Sequence, residues 1–263
     1  KKSALTIARG IRYITITNGT PQGPLTVDVL EIEMSDESIA VKTALAGPSD
    51  SFGVAPVSEL VSSSGAIAGV NGVFYASDGT PLGLIIVDGR LRSLPVMGRT
   101  AMGITKDRRI LIDNVSTDAG GNLVPNWLEE GVVYAVGGGP RLVKDGKVYV
   151  TAAQEQFKPD VAGGRAPRTG VGVTYDGNLL LVAVTGRQAY HSIGVTLEEL
   201  ANIMLELGAK DAMNLDGGGS STMVVRDFVM NTPSDGRERK VADAILVFSD
   251  VSGAAPMSPE IGR

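Results

Sequence analysis

The sequence predicts an α+β protein: a single strand-rich domain of mixed sheets, with few helices and an internal duplication. Three observations point there. Asp-Gly pairs at Asp78-Gly79, Asp88-Gly89, Asp145-Gly146 and Asp176-Gly177 each lie beside branched or aliphatic runs, the strongest short-range hairpin signal. Only two segments carry a helical signal. One stretch also repeats: Arg99-Thr100-x-x-Gly103-Ile104-Thr105-x-Asp107-x-x-Ile110-Leu111-Ile112 matches Arg168-Thr169-x-x-Gly172-Val173-Thr174-x-Asp176-x-x-Leu179-Leu180-Leu181.

Strands are expected at 12–17, 25–33, 38–45, 66–71, 83–87, 101–105, 109–113, 132–136, 141–144, 147–150, 170–175, 179–185, 211–215, 222–226 and 242–248. One helix is expected over 54–62, with Pro56 near its start, where a missing N–H is harmless. The other runs from Thr196 to Leu207. Thr196 is its N-cap and Glu199 completes a capping box. Leu197, Leu200, Ala201, Met204 and Leu207 form its apolar stripe, read as core, and Gly208 closes it. Upstream of each Arg-Thr hairpin lies another hairpin, at Asp88-Gly89 and Asp145-Gly146. Before those stand strand-to-glycine elbows, Val70-Asn71-Gly72 and Val136-Gly137-Gly138-Gly139. Elbow, hairpin and Arg-Thr hairpin thus occur twice, which reads as pseudo-symmetry within one domain spanning 1–248. Residues 249–263, rich in Ser, Gly, Ala and Pro, read as a loose tail.

Composition excludes several functions. With 24 Lys and Arg against 29 Asp and Glu, the net charge is −5, and aromatics make up 5%; neither suits a nucleic-acid binder. There is no cysteine and a single histidine, His191, so disulfides, thiolate nucleophiles and two-histidine zinc sites are absent. Acid–base work falls to carboxylates. No apolar run reaches the roughly 20 residues of a membrane span. The chain opens at Lys1-Lys2 without a signal sequence and reads as a mature or trimmed fragment, with an extracellular or cell-envelope location expected.

The chemistry concentrates in Asn214-Leu215-Asp216-Gly217-Gly218-Gly219-Ser220-Ser221-Thr222. Three successive glycines are entropically expensive, and a fold keeps them for geometry. Their N–H groups can form a concave nest for an anion, with Asp216 at its lip. A capped turn would account for a lone Asp-Gly; the longer string is read as a ligand site. It is neither a Walker A loop, lacking the Lys-Ser or Lys-Thr, nor a dinucleotide fingerprint, since a strand follows. Arg168, just before a strand, is the first arginine expected at the site, against its repeat partner Arg99. Gly186-Arg187-Gln188-Ala189-Tyr190-His191 forms a loop expected to border the pocket. Asp216 and neighbouring oxygens allow calcium, but no EF-hand spacing supports it, so no cofactor is expected.

These motifs resemble the phosphodiester glycosidase family. Asn214 to Thr222 is similar to its signature, Asn71-Gly72-Val73-Phe74-Tyr75 to its Asn-Gly-Gly-Phe-Phe elbow, and Gly138-Gly139-Pro140-Arg141 to its Gly-Gly-Pro segment. Arg168-Thr169-Gly170-Val171-Gly172 resembles its Arg-Thr-Ala-x-Gly, and Gly186-Arg187-Gln188, the helix Leu197–Ala201 and the closing strand 241–248 follow in order. The resemblance covers most of 66–248. It departs at Val73 and Tyr75, and at Thr185, where many relatives carry Asp. It implies hydrolysis of a sugar-1-phosphodiester at the glycosidic C1–O bond, on glycan, exopolysaccharide or cell-envelope substrates. Asp216 would be nucleophile, base for water or stabiliser of an oxocarbenium-like centre. Arg168 would take the phosphate charge, and Asn71 would bind sugar hydroxyls or orient Asp216. Asn214, Gly217, Gly218, Gly219, Ser220, Ser221, Gly138, Gly186, Arg187 and His191 would contact substrate. A noncatalytic glycan-binding module and a phosphodiesterase cutting the P–O bond are the alternatives.

Overall fold

The structure, a computed structural model, describes residues 1–48, 51–96 and 98–250, so nearly all of the expected tail lies outside the described residues. The elements in chain order are β1 (Lys2–Ala8), β2 (Ile11–Thr20), β3 (Gly23–Ile32), β4 (Ile39–Leu45), α1 (Val57–Ser64), β5 (Ala68–Asn71), β6 (Ile85–Val87), β7 (Arg90–Ser93), β8 (Arg99–Thr105) and β9 (Ile110–Thr117). Then come β10 (Leu123–Val124), β11 (Val132–Gly137), β12 (Arg141–Lys144), β13 (Lys147–Val148), α2 (Pro159–Ala162), β14 (Arg168–Thr174), β15 (Leu179–Val184), α3 (Leu197–Glu206), β16 (Ala209–Asn214), β17 (Met223–Val225), β18 (Phe228–Val229) and β19 (Asp243–Ser249). They build three sheets, of order β1-β2-β3-β15-β14-β16-β12-β13, β10-β9-β8-β11-β6-β7 and β18-β17-β5-β19-β4. The α+β, strand-rich single domain is as expected.

The inner faces of the sheets share one core, in which Leu30, Val171, Leu181 and Met213 meet Met102, Ile104 and Val136, and both meet Val70, Met223 and Ile245. Each outer face has its own cover. Leu197, Leu200, Ala201 and Met204 of α3 pack on the first sheet, Trp127 on the second, and Val57, Leu60 and Val61 of α1 on the third. The α3 stripe is therefore core, and its N-terminus carries the Thr196–Glu199 capping box. Gly208, at φ +91, follows its C-cap Leu207. Helix α1 starts later than expected because Pro56 is its N-cap and not part of its first turn.

The duplication is real, and a third copy accompanies it. In the second sheet, Ala135 of β11 pairs with Gly103 of β8 on one side and Ile86 of β6 on the other. In the first, Ala212 of β16 pairs with Gly172 of β14 and Val143 of β12. In the third, Gly69 of β5 pairs with Leu246 of β19 and Val224 of β17. Each triplet is flanked by a further antiparallel strand, through Gly103–Leu111, Gly172–Leu180 and Leu246–Lys42. The third unit takes β17, β18 and β19 from the end of the chain and β4 and β5 from its beginning. It carries no Arg-Thr signature, which is why two copies alone stand out in the sequence.

Four strands were not expected: β1, β7, β10 and β18. The last three are short hairpin partners, of two to four residues, whose pairing is dictated by the neighbouring strand. The expected strand 147–150 shortens to Lys147–Val148, and the short α2 was likewise not anticipated.

Candidate active site

The three central strands of the units end at register-equivalent positions, Asn71, Gly137 and Asn214, and these ends converge. Asn71 Nδ2 donates to Asp216 O at 2.7 Å, and the Gly139 N–H donates to Asn214 O at 2.8 Å. Gly138 allows that approach, since a Cβ there would lie 2.6 Å from Asn214 O. Beside this junction lies a cavity of about 260 Å³ lined by Phe74, Asp160, Val161, Ala166, Arg168, Arg187, Asn214, Asp216, Gly217, Gly218, Gly219 and Arg239.

Asp216 sits at its base. Its N–H donates to Gly72 O at 3.0 Å, and its Oδ1 accepts from the Gly217 N–H at 2.8 Å. Burial pushes its carboxyl up to about 6, opposed by the Ser220 hydroxyl, the Gly217 amide and the positive charge of Arg239. The Ser220 and Ser221 hydroxyls are buried behind the glycines without hydrogen bonds of normal geometry. Gly218 adopts φ +63, the left-handed conformation expected of this string. The nest is smaller than expected. The Gly217, Gly218 and Ser220 N–H groups are consumed by Asp216 Oδ1, Pro167 O and Gly217 O in a single 3-10 turn. Among the described residues only the Gly219 N–H in this turn has no protein acceptor.

Positive charge surrounds this turn. Arg168 is buried, and its guanidinium donates only to carbonyls: Val195 O at 3.2 Å, Val161 O at 2.8 Å and Gly164 O at 3.2 Å. Burial, and then the nearby Arg187 charge, lower it to about 10. Arg187 is exposed, at φ +61, with its guanidinium over Gly218. Neither makes an ion pair among the described residues. Arg239 is paired with Asp235 at 2.7 Å. Two adjacent cations without a carboxylate partner, one of them buried, favour an anion between them. By contrast Arg99 stacks on Phe157, 4.1 Å from the ring centroid, and does not line the cavity. Phe157 in turn packs on Phe74 at 5.6 Å, which gives the cavity its aromatic wall.

The other expected site residues divide. Asn214 lines the cavity; its Nδ2 donates to Gly139 O and Leu215 O, and its buried Oδ1 has no partner among the described residues. Asn71 is fully buried and does not face the cavity. Its Oδ1 accepts from Thr169 Oγ1 at 2.8 Å and the Thr222 N–H at 3.1 Å. At the equivalent junction, Glu155 Oε1 accepts from Thr100 Oγ1 at 2.6 Å and the Arg141 N–H at 2.9 Å. Asn71 thus clamps two units together and holds the Asp216 main chain, the orienting alternative. Gly138 and Gly186 are packing glycines. A Cβ at Gly186 would lie 2.6 Å from Pro167 N. His191 is not brought to the cavity, because the loop turns back through a Gln188–Ser192 pairing and carries it toward Thr26 and Asp28. Thr185 is buried, and its hydroxyl accepts from the Thr232 N–H at 3.2 Å. No cluster of three His, Cys, Asp or Glu able to hold a metal ion occurs among the described residues.

Sequence reasoning missed Phe74, Asp160, Arg239 and Asp243. Asp243 is fully buried at the start of β19. Its Oδ1 accepts from the Val73 N–H at 2.7 Å, and a Cβ at Gly72 would overlap its carboxylate.

The family follows from these residues and from comparison with known proteins. Residues 64–248, more than half of the chain, match the phosphodiester glycosidase family model. The chain belongs to the phosphodiester glycosidase family. A prophage-derived protein of Bacillus subtilis is 29% identical over 185 residues, 69% of this chain and 28% of that protein. The mouse N-acetylglucosamine-1-phosphodiester alpha-N-acetylglucosaminidase is 29% identical over 181 residues, 64% of this chain and 33% of its own. The chain therefore spans about a third of the length of these curated relatives. The zebrafish catalytic domain of that name, solved auto-inhibited by its pro-peptide, superposes with TM-score 0.74 at 21% identity, covering 95% of this chain and 88% of that one. A Synechocystis protein superposes with TM-score 0.82 at 18% identity, covering 93% and 64%. At these identities the superpositions establish the shared fold.

Two expectations follow from this site. Gly218→Ala forces a Cβ into a positive-φ position, 3.2 Å from Arg187 Nη2, at a conformational cost of about 1 kcal/mol or more. It is expected to lower the melting temperature and raise KM together; normal melting with normal KM would reduce the glycines to a flexible turn. The second concerns pH. Burial raises Asp28 to about 6, Asp216 to about 6 and Asp243 to about 7. Each binds its proton more tightly folded than unfolded, so its contribution to stability is complete below the unfolded value, near 4, and is lost as pH rises through the folded one. The melting temperature is expected to fall between pH 5 and pH 8. A rise over that interval would contradict the burial of these carboxyls.

Proposed function

We propose that this chain is a glycosidase-type hydrolase that cleaves sugar-1-phosphodiesters at the glycosidic C1–O bond. The observation that carries this reading is the juxtaposition, in one small cavity, of the Asp216 carboxylate with the carboxylate-free cations Arg168 and Arg187. A phosphodiester presents the matching pair of demands: a single negative charge on the leaving group and an anomeric carbon that turns positive as it departs. In this reading the phosphate lies between Arg187 and Arg168, with the Gly219 N–H as a further donor. The arginines stabilise the charge that grows on the leaving oxygen, so that oxygen departs without a strong general acid. Ionised Asp216 supports the positive charge at C1. The C1–O pair leaves with the phosphate, the oxygen of water bonds to C1, and a proton of that water is released. Phe74 offers a ring face to the sugar, and Asn214 Oδ1 an acceptor for a sugar hydroxyl.

The relatives' name supplies the first sugar to try, an N-acetylglucosamine-1-phosphodiester. Exopolysaccharide or cell-envelope glycans are the proposed natural class. A solved Burkholderia pseudomallei protein described as a candidate exported protein shares the fold, with TM-score 0.70 at 24% identity over 88% of this chain and 75% of that one, which suits action outside the cytoplasm. No helix among the described residues is long and apolar enough to cross a membrane. Incubation with the methyl phosphodiester of N-acetylglucosamine-1-phosphate, followed by product identification, tests the activity. Free sugar and methyl phosphate are expected in equal amounts. Saturable binding with no turnover on prolonged incubation would favour a glycan-binding module instead.

A further inference from the structure

Register equivalence isolates one residue. Thr100 and Thr169 occupy the same place in the first two units, three residues before Gly103 and Gly172 on their strands. The third unit has Asp243 there, three residues before Leu246. Both threonines use a side-chain hydroxyl at a unit junction, toward Glu155 and Asn71 respectively. The backbone arrangement is kept in all three, since the Gly138, Leu215 and Gly72 N–H groups donate to Thr100 O, Thr169 O and Asp243 O. The fold thus fills this position twice with a neutral hydroxyl. A carboxyl in the third is not a requirement of the architecture.

Its surroundings point to Asp216. The Gly72–Val73 segment runs between the two acids: the Val73 N–H donates to Asp243 Oδ1, Gly72 O accepts the Asp216 N–H, and only a glycine at 72 lets the Asp243 carboxylate lie against it. Among the described residues, Asp243 Oδ2 is buried with no hydrogen-bond partner and no ion pair reaches Asp243. The charged and titratable groups on the Asp216 side are Arg168, Arg187, Arg239 and Asp160, which line the cavity with it, and Tyr75, while among the described residues Asp243 faces Asp216 alone. Two carboxyls in such a place cannot both carry charge cheaply.

We propose that Asp243 is a positioning residue that holds the single proton of a two-carboxyl pair, leaving Asp216 as its charged member when substrate is bound. This rests on the reading of Asp216 given above. Burial first, and then the charge of Asp216, raise Asp243 to about 7, above Asp216 at about 6. The surroundings set the order of ionisation: Asp216 accepts from the Gly217 N–H and lines the cavity with Arg168, Arg187 and Arg239, while Asp243 Oδ2 is buried without a partner among the described residues, so Asp216 loses its proton first and Asp243 second. The two titrations belong to the pair. Above the second one, an additional negative charge next to the cavity opposes the anionic substrate.

Two variants test this. Asp243→Asn keeps the shape and accepts from the Val73 N–H. Asp243→Thr installs the side chain the fold uses at the other two junctions. The wild type is expected to lose kcat/KM by about tenfold per pH unit on its alkaline side, above pH 7, while both variants stay on the plateau. An alkaline limb unchanged in the variants would overturn the proposal. Carboxyl carbon NMR of the substrate-free protein gives a readout independent of turnover. Asp243 is expected to titrate well above the ordinary carboxylate range in the wild type and lower in Asp216→Asn. Titration in the ordinary range, or no response to Asp216→Asn, would overturn the pair even if hydrolysis is found. The expected NMR linkage without hydrolysis of any phosphodiester would retain the pair and discard the activity.

Discussion

Asp216→Asn is expected to reduce turnover by on the order of a thousandfold or more while the protein folds and melts normally or slightly higher. Asparagine is nearly isosteric, and its side-chain carbonyl can still accept from the Gly217 N–H that now meets Asp216 Oδ1. What is lost is the charge facing the anomeric carbon. The stability effect has a definite sign: Asp216 is raised to about 6 by burial, so its ionised form opposes folding at pH 8. The variant should therefore melt no lower than the wild type at pH 8, and the two curves should approach each other toward pH 5. Turnover within threefold of the wild type would remove Asp216 from the chemistry.

The second large effect separates two arginines. Arg187→Ala is expected to cost about 2–4 kcal/mol of transition-state stabilisation, a fall of roughly thirty- to a thousandfold in kcat/KM, with little change in melting temperature. Its guanidinium is exposed and lies over the Gly218 backbone, so the phosphate loses a ligand and the fold loses little. Arg168→Lys should lower both activity and stability. Three carbonyls, from Val161, Gly164 and Val195, hold the Arg168 fork, and a lysine ammonium cannot match that planar geometry. Arg99→Lys should leave turnover nearly normal, because Arg99 lies on Phe157 and outside the cavity lining. Kinetics and thermal melts on the three variants check this. Equal, small losses of activity in all of them would make the arginines structural and leave the phosphate without its ligands.

Much of this was legible in the residues. Asp-Gly at 88–89 and 145–146 became tight hairpin turns with both residues at positive φ, as such dipeptides permit. Thr196 and Glu199 marked the start of α3 because a capping box is a local device, complete within four residues. The Gly217–Gly219 run announced a special backbone, and Gly218 has one. What was not legible depended on distant pairing. Asp243 is one acid in an apolar strand, and only the register of β19 against β5 sets it beside Gly72 and Asp216. The third unit was hidden because it is made from both ends of the chain and lacks the Arg-Thr signature. His191 drew attention as the one histidine, but rarity is no guide to direction, and its loop turns it away. The consumption of most nest N–H groups by Asp216, Pro167 and Gly217 likewise needs coordinates to be seen.

The most direct test of the mechanism is to run the hydrolysis of the methyl phosphodiester of N-acetylglucosamine-1-phosphate in heavy-oxygen water and weigh both products. Cleavage of the C1–O bond beside Asp216 puts the label at C1 of the released sugar and leaves methyl phosphate unlabelled. Label in the phosphate product would mean that water attacks phosphorus and the P–O bond breaks, and the assignment of Asp216 to the anomeric carbon would be wrong.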